Sequence, residues 1–376
     1  MSISPIDFYR TLSESNVEFF TGVPDSLLKE FCLCIDKSVP PNMHVITANE
    51  GNAIALASGF SIAKQSIPLV YMQNSGFGNA INPLLSLCNS DVYSIPLLLM
   101  IGWRGEPGIK DEPQHMVQGK VQIKLMELMQ IPYEIISGDD KNYSKKISNL
   151  IKIAKRDSKP VALLIKKGTF SKHKSRNIQS DNSLMMREEV LEIILDLIDK
   201  NTIVVSTTGK TSREIFEIRQ RNSQSHERDF LTVGSMGHCS SIAMGIALAK
   251  PKRKVLCIDG DGAMLMHLGA LTSLKDLNPK NFKHILLNNE AHESVGGQHT
   301  AAKNIDLNDV MKSFGVVDTY QVKTKFDLEQ SFLEFMEDSG PSFMEVKINI
   351  GSRKDLGRPN ISPKENKKNF EKFLNN

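Results

Sequence analysis

Val255-Leu256-Cys257-Ile258-Asp259-Gly260-Asp261-Gly262 and, further along, Ile285-Leu286-Leu287-Asn288-Asn289 are the two stretches whose joint reading decides the fold. Each is an apolar run of strand length that breaks into polar residues at its carboxyl end, and the segment between them carries helical periodicity. The pattern predicts a strand, a tight glycine turn, a helix and a second strand, with the Asp261 carboxylate and the Asn289 amide at neighbouring strand ends. Such hard oxygen donors suit Mg²⁺, which takes few protein ligands and completes its octahedron with water and phosphate oxygens. Gly260 and Gly262 allow a diphosphate close to the backbone, and the following helix is expected to turn its N-terminus toward that charge.

Outward from this core, strand-like and helical runs alternate, as a parallel sheet covered on both faces requires. Strands are expected at Leu69–Met72, Pro96–Ile101 and Val161–Ile165, then at Thr202–Val205, Val255–Ile258, His284–Leu287 and Ser342–Val346. Between the two groups Lys172–Asn182 is polar, so the reading is a first domain over 1–170, a linker over 171–184 and a second domain over 185–376. Both halves follow one α/β plan, an α/β class of two doubly wound parallel-sheet domains. Ser4 and Pro5 read as a helix cap and first turn, and Lys364–Asn376 as a docked amphipathic helix in preference to a frayed end.

A chain of 376 residues with 40% hydrophobic content has enough apolar mass for two cores. A formal charge of +3, spread along the chain, argues against nucleic acid as a partner; the lysines and arginine between Lys166 and Arg176 read as a solvated linker. Five cysteines without paired spacing give neither a zinc motif nor a disulfide framework, and reduced thiols imply a cytoplasmic protein. The N-terminus lacks the pattern of a signal peptide, and no apolar run is long enough to span a membrane.

One rival phosphate site sits at Ser206-Thr207-Thr208-Gly209-Lys210-Thr211, which ends like a P-loop. The glycine that such a loop needs five positions before Gly209 is Val204, inside a strand, so a Walker-type site is rejected. Gly209 and Lys210 still fall where binding loops gather. No GxGxxG fingerprint opens either half.

A second half-site lies in the first half, where Thr47-Ala48-Asn49-Glu50 opens a helix dominated by small residues, Gly51-Asn52-Ala53-Ile54-Ala55-Leu56-Ala57-Ser58-Gly59. Alone, Glu50 reads as a first-turn acid favoured by the helix dipole. Together with Asp261 and Asn289, it resembles the signature of thiamine diphosphate (ThDP) enzymes. That resemblance implies a ThDP-binding fold with a pyrimidine-binding domain followed by a diphosphate-binding domain. It implies that Glu50 hydrogen-bonds N1′ of the aminopyrimidine, and that Mg²⁺ is held by Asp261, Asn289 and the Ala291 carbonyl. Gly234-Ser235-Met236-Gly237-His238 is similar to the segment that wedges an apolar side chain, here Met236, beneath the cofactor. Gly234, Ser235, Gly260, Gly262 and Ala263 join the cofactor-binding set on the same grounds.

Thr21–Ser26, Asn74–Asn79, Gly102–Gly108, Asp111–His115 and Glu293–Gln298 narrow the resemblance to the phosphonopyruvate decarboxylase branch, from about Gly22 to Gly351. The chain lacks the middle domain and flavin-binding segment of acetolactate synthases and departs from the branch at His299, where a proline is expected. The branch implies decarboxylation of 3-phosphonopyruvate to phosphonoacetaldehyde and CO₂, a place in phosphonate biosynthesis, and active sites at the subunit interfaces of a homo-oligomer. Asp25 and His115 resemble acid/base positions. Arg104, Lys110, His292, Glu293 and Ser294 are candidates for binding the anionic substrate. Sulfopyruvate decarboxylase is the alternative, followed by a non-catalytic regulator of the same fold.

Overall fold

The computed structural model describes residues 2–173, 181 and 183–375, so most of the expected linker lies outside the described residues. The chain forms two compact units, Met1–Asn177 with Ser294–Gln298, and Ile178–Glu293 with His299–Asn376. The first carries strands β1 (Phe20–Gly22), β2 (His44–Ile46), β3 (Leu69–Gln73), β4 (Leu98–Gly102), β5 (Tyr133–Ile136) and β6 (Val161–Ile165). The second carries β7 (Ile203–Ser206), β8 (Asp229–Leu231), β9 (Val255–Gly260), β10 (Phe282–Asn288), β11 (Asp318–Val322) and β12 (Ser342–Lys347).

Every strand pair is parallel. The sheets run β2-β1-β3-β4-β6-β5 and β11-β12-β10-β9-β7-β8. Renumbered from β7 as the first strand and read from the other edge, the second order repeats the first, so the shared plan extends to topology. In each order the chain reverses direction between the first and third strands (β1/β3 and β7/β9), and the carboxyl ends of those strands are where parallel α/β sheets collect their ligand sites.

The apolar strands are explained by burial on both faces. In the first unit Tyr71, Met100 and Leu163 join one core cluster while Val70, Leu99, Ala162 and Leu164, alternating with them, join the other. In the second, Ile258, Ile285 and Met344 pack on one side and Val255, Cys257, Leu286 and Phe343 on the other.

Several elements differ from the sequence expectations. No long helix follows the Gly-Asp-Gly segment: Gly260 ends β9, Asp261 begins a helix of six residues (Asp261–Met266), and His267 leaves helical geometry at φ −132° before the short turns Leu268–Ser273 and Leu274–Leu277. The expected helix N-terminus at the anion is therefore a single brief turn. The small-residue helix that follows the Gly234–His238 segment runs Cys239–Ala249. Strands β1, β2, β5, β8 and β11 were not expected; β1, β2 and β8 have three residues each, too few for a period-two pattern to register. The Ser4 cap and the C-terminal helix Pro363–Asn375, which buries Phe370, form as expected.

One ion pair in the second unit is wholly enclosed: Arg219 Nε and Nη2 donate to the two Asp229 oxygens at 3.0 and 3.1 Å, with both side chains fully buried. Removing one partner strands a charge in the core. Arg219→Met is expected to destabilise the fold by about 3–5 kcal/mol in urea denaturation, with the Arg219→Met/Asp229→Asn double variant recovering part of the loss.

Candidate active site

The crevice of the first unit is built where β1 and β3 part. Asp25, just beyond β1, is buried; its Oδ1 accepts Gln73 Nε2 at 2.6 Å from the end of β3, and its Oδ2 accepts the Leu27 N–H at 3.0 Å. Gln73 Oε1 in turn accepts the Ser75 hydroxyl at 2.7 Å. Desolvation raises the Asp25 pKa above the ordinary carboxylate range despite these hydrogen bonds. Gly102 closes the other side, since a Cβ there would collide with Asp25 Oδ2.

Glu50 is the first residue of the helix Glu50–Lys64, whose cap Asn49 accepts the Gly51 N–H at 2.7 Å. Its side chain is turned into the fold and is only 5% exposed, with Oε2 accepting Asn79 Nδ2 at 2.8 Å. Burial raises its pKa, and a Cβ at Gly76 would run into Oε1. The first-turn acid of the bland reading would face water; this one sits in a cradle that admits only glycine.

Arg104 follows β4. Asn74 Nδ2 donates to the Arg104 carbonyl at 2.8 Å and Asn74 Oδ1 accepts its N–H at 3.1 Å, tying the ends of β3 and β4 together. The guanidinium grips Asp111 through two nitrogens, Nε at 2.8 Å among them, and reaches Ser26 Oγ at 3.0 Å. Its hydrogen bond pulls the Asp111 pKa down to about 2. Arg104 is therefore a compensated cation, while Lys110 projects as an exposed one. His115 is buried with Nδ1 unpartnered, and burial, helped by Arg104, lowers its pKa to about 4, so the imidazole is neutral at neutral pH.

In the second unit the crevice lies between β7 and β9. Thr207-Thr208-Gly209 leaves β7, and Thr208 Oγ1 accepts the Gly234 N–H at 2.9 Å, joining that loop to the Gly234–Met236 segment, where Met236 is half-buried. Asp261 is buried at the end of β9, and register pairs Gly260 with Leu287 of β10, two residues before Asn289. The Thr300 hydroxyl donates to Asp261 Oδ2, and among the described residues no cationic side chain forms an ion pair with it. Burial pushes its pKa up to about 6. Asn289 Oδ1 accepts the Ala291 N–H at 3.1 Å and the Ala291 carbonyl accepts the Glu293 N–H at 2.9 Å. A buried carboxylate with no ion-pair contact among the described residues, Lys347 acting on it only from a distance, with an amide and a carbonyl oxygen supplied from the end of the neighbouring strand, fits a hard divalent cation.

Glu293 is held at 3.0 Å by Arg187 Nη1, at 2.5 Å by Lys210 Nζ and at 3.0 Å by Asn289 Nδ2. Arg187 also grips the buried Glu214 at 2.6 and 2.9 Å. These cations outweigh desolvation and hold the Glu293 pKa below its ordinary value. His292 is kept neutral by burial, with a pKa lowered to about 4. Ser294 is exposed, as is His299, whose Nδ1 lies 3.4 Å from the Glu290 carbonyl. It is Thr300, next to His299, that reaches Asp261.

Sequence reasoning missed Gln73, Asn79, Asp111, Arg187, Glu214 and Thr300 as site neighbours. Asn79 lay within a quoted segment; Arg187, in the first turn of the helix Arg187–Leu197, carries the signature of a solvated charge and no signal of burial.

The two crevices coincide with two family matches. Residues 7–127 match the thiamine pyrophosphate enzyme N-terminal TPP binding domain and residues 207–346 match the corresponding C-terminal TPP binding domain. Over 99% of its length the chain is 30% identical to a phosphonopyruvate decarboxylase of Streptomyces viridochromogenes, covering 95% of that protein, and 31% identical to one of Streptomyces hygroscopicus, covering 94%. A sulfopyruvate decarboxylase of Methanosarcina acetivorans is 27% identical across 96% of this chain and 95% of its own. The chain belongs to the thiamine pyrophosphate-dependent 2-oxoacid decarboxylase family, and the relatives at 30% identity or above that it matches over 99% of its length are phosphonopyruvate decarboxylases.

Gly76→Ala is expected to push Glu50 from its cradle and lower kcat/KM about 10²-fold with a small change in thermal midpoint, read by steady-state kinetics and calorimetry. The His115 pKa is lower folded (about 4) than its ordinary 6.5, so the stability it permits is full above pH 6.5 and declines as pH falls toward 4, where the unfolded chain binds the extra proton. Denaturant midpoints over that window are expected to fall less steeply in His115→Gln.

Proposed function

We propose that the protein decarboxylates 3-phosphonopyruvate to phosphonoacetaldehyde and CO₂ with ThDP and Mg²⁺, as a cytoplasmic homo-oligomer serving phosphonate biosynthesis. The observation that carries this reading is the pairing of a Glu50 cradle in one unit with an uncompensated Asp261 in the other, in a chain that aligns end to end with phosphonopyruvate decarboxylases. The five buried free thiols and the absence, among the described residues, of a helix long and apolar enough to cross a membrane are consistent with the assigned compartment.

ThDP, when bound, supplies the electron sink for the C–C bond that breaks. Glu50 is positioned to hold a proton at its carboxyl oxygen against N1′ of the aminopyrimidine, with Asn79 fixing Oε2 and Gly76 leaving Oε1 free. Asp261, Asn289 Oδ1 and the Ala291 carbonyl would hold Mg²⁺, and Gly260, Gly262, Ala263, Gly234, Ser235 and Met236 would line the cofactor. Asp25, its proton affinity raised by burial, and the neutral His115 are the proposed proton carriers. Arg104 and Lys110 supply positive charge for the phosphonate, His292 and Ser294 hydrogen bonds. Glu293, held ionised by Arg187 and Lys210, is proposed to act by orienting Asn289 and Lys210, since an ionised carboxylate repels an anionic substrate.

Sulfopyruvate is the second reading, supported by the near full-length similarity to a sulfopyruvate decarboxylase. The two substrates differ by a charge, since a phosphonate is doubly ionised near neutrality and a sulfonate singly. Aldehyde release from phosphonopyruvate, sulfopyruvate and pyruvate, each with ThDP and Mg²⁺, decides between them. The expected outcome is a preference for phosphonopyruvate, with Glu50→Gln slower by about 10²–10⁴-fold. Preference for sulfopyruvate would move the assignment to that substrate, and full activity in Glu50→Gln would refute the role given to Glu50.

A further inference from the structure

Within the second unit, away from the oxygen donors at the strand ends, a polar cluster lies inside an apolar core. Cys257 and Asp259 project from the same face of β9, and His284 of β10 is in register with Cys257. All three are fully buried, and one ligand atom from each lies within 4.8 Å of the others. Cys239, the first residue of the helix Cys239–Ala249, borders the group on one side, with its Sγ 3.5 Å from Cys257 Sγ.

Hydrogen bonds satisfy only part of the cluster: Cys239 Sγ reaches the Val205 and Ile258 carbonyls at 3.5 and 3.8 Å, and Asp259 Oδ1 accepts the Gly260 N–H at 2.9 Å. Neither ring nitrogen of His284 nor Asp259 Oδ2 makes a hydrogen bond, and Nε2 and Oδ2 face each other at 3.8 Å as a loose ion-pair contact. The rings of Phe282 and Phe343 pack against the imidazole at centroid distances of 5.9 and 5.5 Å, so the surroundings supply no polar replacement. Orphaned buried imidazole nitrogens beside an orphaned carboxylate oxygen are rare in folded proteins and call for a cation or an ordered water.

We infer that Cys257, Asp259 and His284, with the Cys239 thiol beside Cys257, form a structural site for a thiophilic divalent cation, with Zn²⁺ the best chemical match. Sulfur, nitrogen and oxygen from the first three fill three positions, and a turn of the Cys239 side chain would bring a second sulfur to the fourth, the closed form of a structural rather than a catalytic zinc. Thiolates on one zinc stand about 3.8 Å apart, close to the separation of Cys239 and Cys257. Soft sulfur ligands exclude Mg²⁺, so this metal is distinct from the cation proposed at Asp261 and Asn289. Binding requires the thiols and the imidazole to give up their protons to solvent, and because all of these groups are enclosed, the metal would enter during folding. It would clamp the Cys239–Ala249 helix to β9 and β10, the strands that end at Asp261 and Asn289.

The test uses the full-length chain without a polyhistidine tag, expressed with added zinc and freed of loosely held metal, with elemental analysis of wild type, Cys257→Ser, His284→Gln and Asp261→Asn. The expected result is about one zinc per chain in wild type and Asp261→Asn, and loss of zinc from Cys257→Ser and His284→Gln. If those two variants do not fold, wild type refolded with Co²⁺ is expected to show the intense thiolate-to-cobalt charge-transfer absorption of a tetrahedral site. Lack of both zinc and that absorption in wild type, zinc that survives in His284→Gln or leaves with Asp261→Asn, or a Cys239–Cys257 disulfide recovered by peptide mapping would each overturn the proposal. None of these readouts requires turnover, so an error in the assigned substrate would leave them unaffected.

Discussion

Parallel pairing is the constraint on which everything else in this chain rests. A sheet in which every strand points the same way needs crossovers on its faces, and those crossovers bury both faces. Neither face of Val255–Ile258 or of Leu98–Ile101 is then open to a ligand arriving from solvent. What stays open is the row of loops at the carboxyl ends, and the reversal of strand order selects one gap in that row. Asp25 and Gln73 in one unit, and Thr207, Thr208 and Asp261 in the other, occupy this gap because the topology leaves no other place for them.

Enclosure at those strand ends also sets the electrostatics. Glu50, Asp25 and Asp261 all have raised pKa values with the same leading cause, removal from water. Asp111 and Glu293 lie nearby and are shifted the opposite way, because each is gripped by cations. The fold thus separates its carboxylates into a set that readily holds a proton or accepts a cation and a set fixed as anions that position other groups.

The sequence made the α/β class, the long central strands and the main chemistry-bearing residues legible, because these depend on local signals: continuous apolar runs, glycines beside a carboxylate, and an acid opening a small-residue helix. Three-residue strands such as β1 and β8 give no periodic signal, and their existence depends on partners far along the chain. The sequence set no bounds for the helix after Asp261, because apolar spacing continues through the 3₁₀ turn at Leu268–Ser273, which periodicity does not separate from an α-helix. Arg187 and Glu214, or Gln73 and Asp25, come together only through tertiary packing. The side chains that orient the site were hidden for that reason, whereas those expected to meet the cofactor were visible.

The repeated strand order has a consequence for synthesis on the ribosome. Parallel neighbours are never joined by a hairpin, so each sheet must wait for strands distant in sequence before its centre is covered. In the first unit the last strand, β6, pairs with both β4 and β5, so this sheet is complete once Ile165 has emerged. In the second, β12 lies between β10 and β11, and the outer strand β11 has no partner in the sheet until Ser342–Lys347, which follows it, has been made. The sheet of the half that carries Glu50 can therefore form in step with synthesis, while that of the half that carries Asp261 and Asn289 waits for the strand made last of its six.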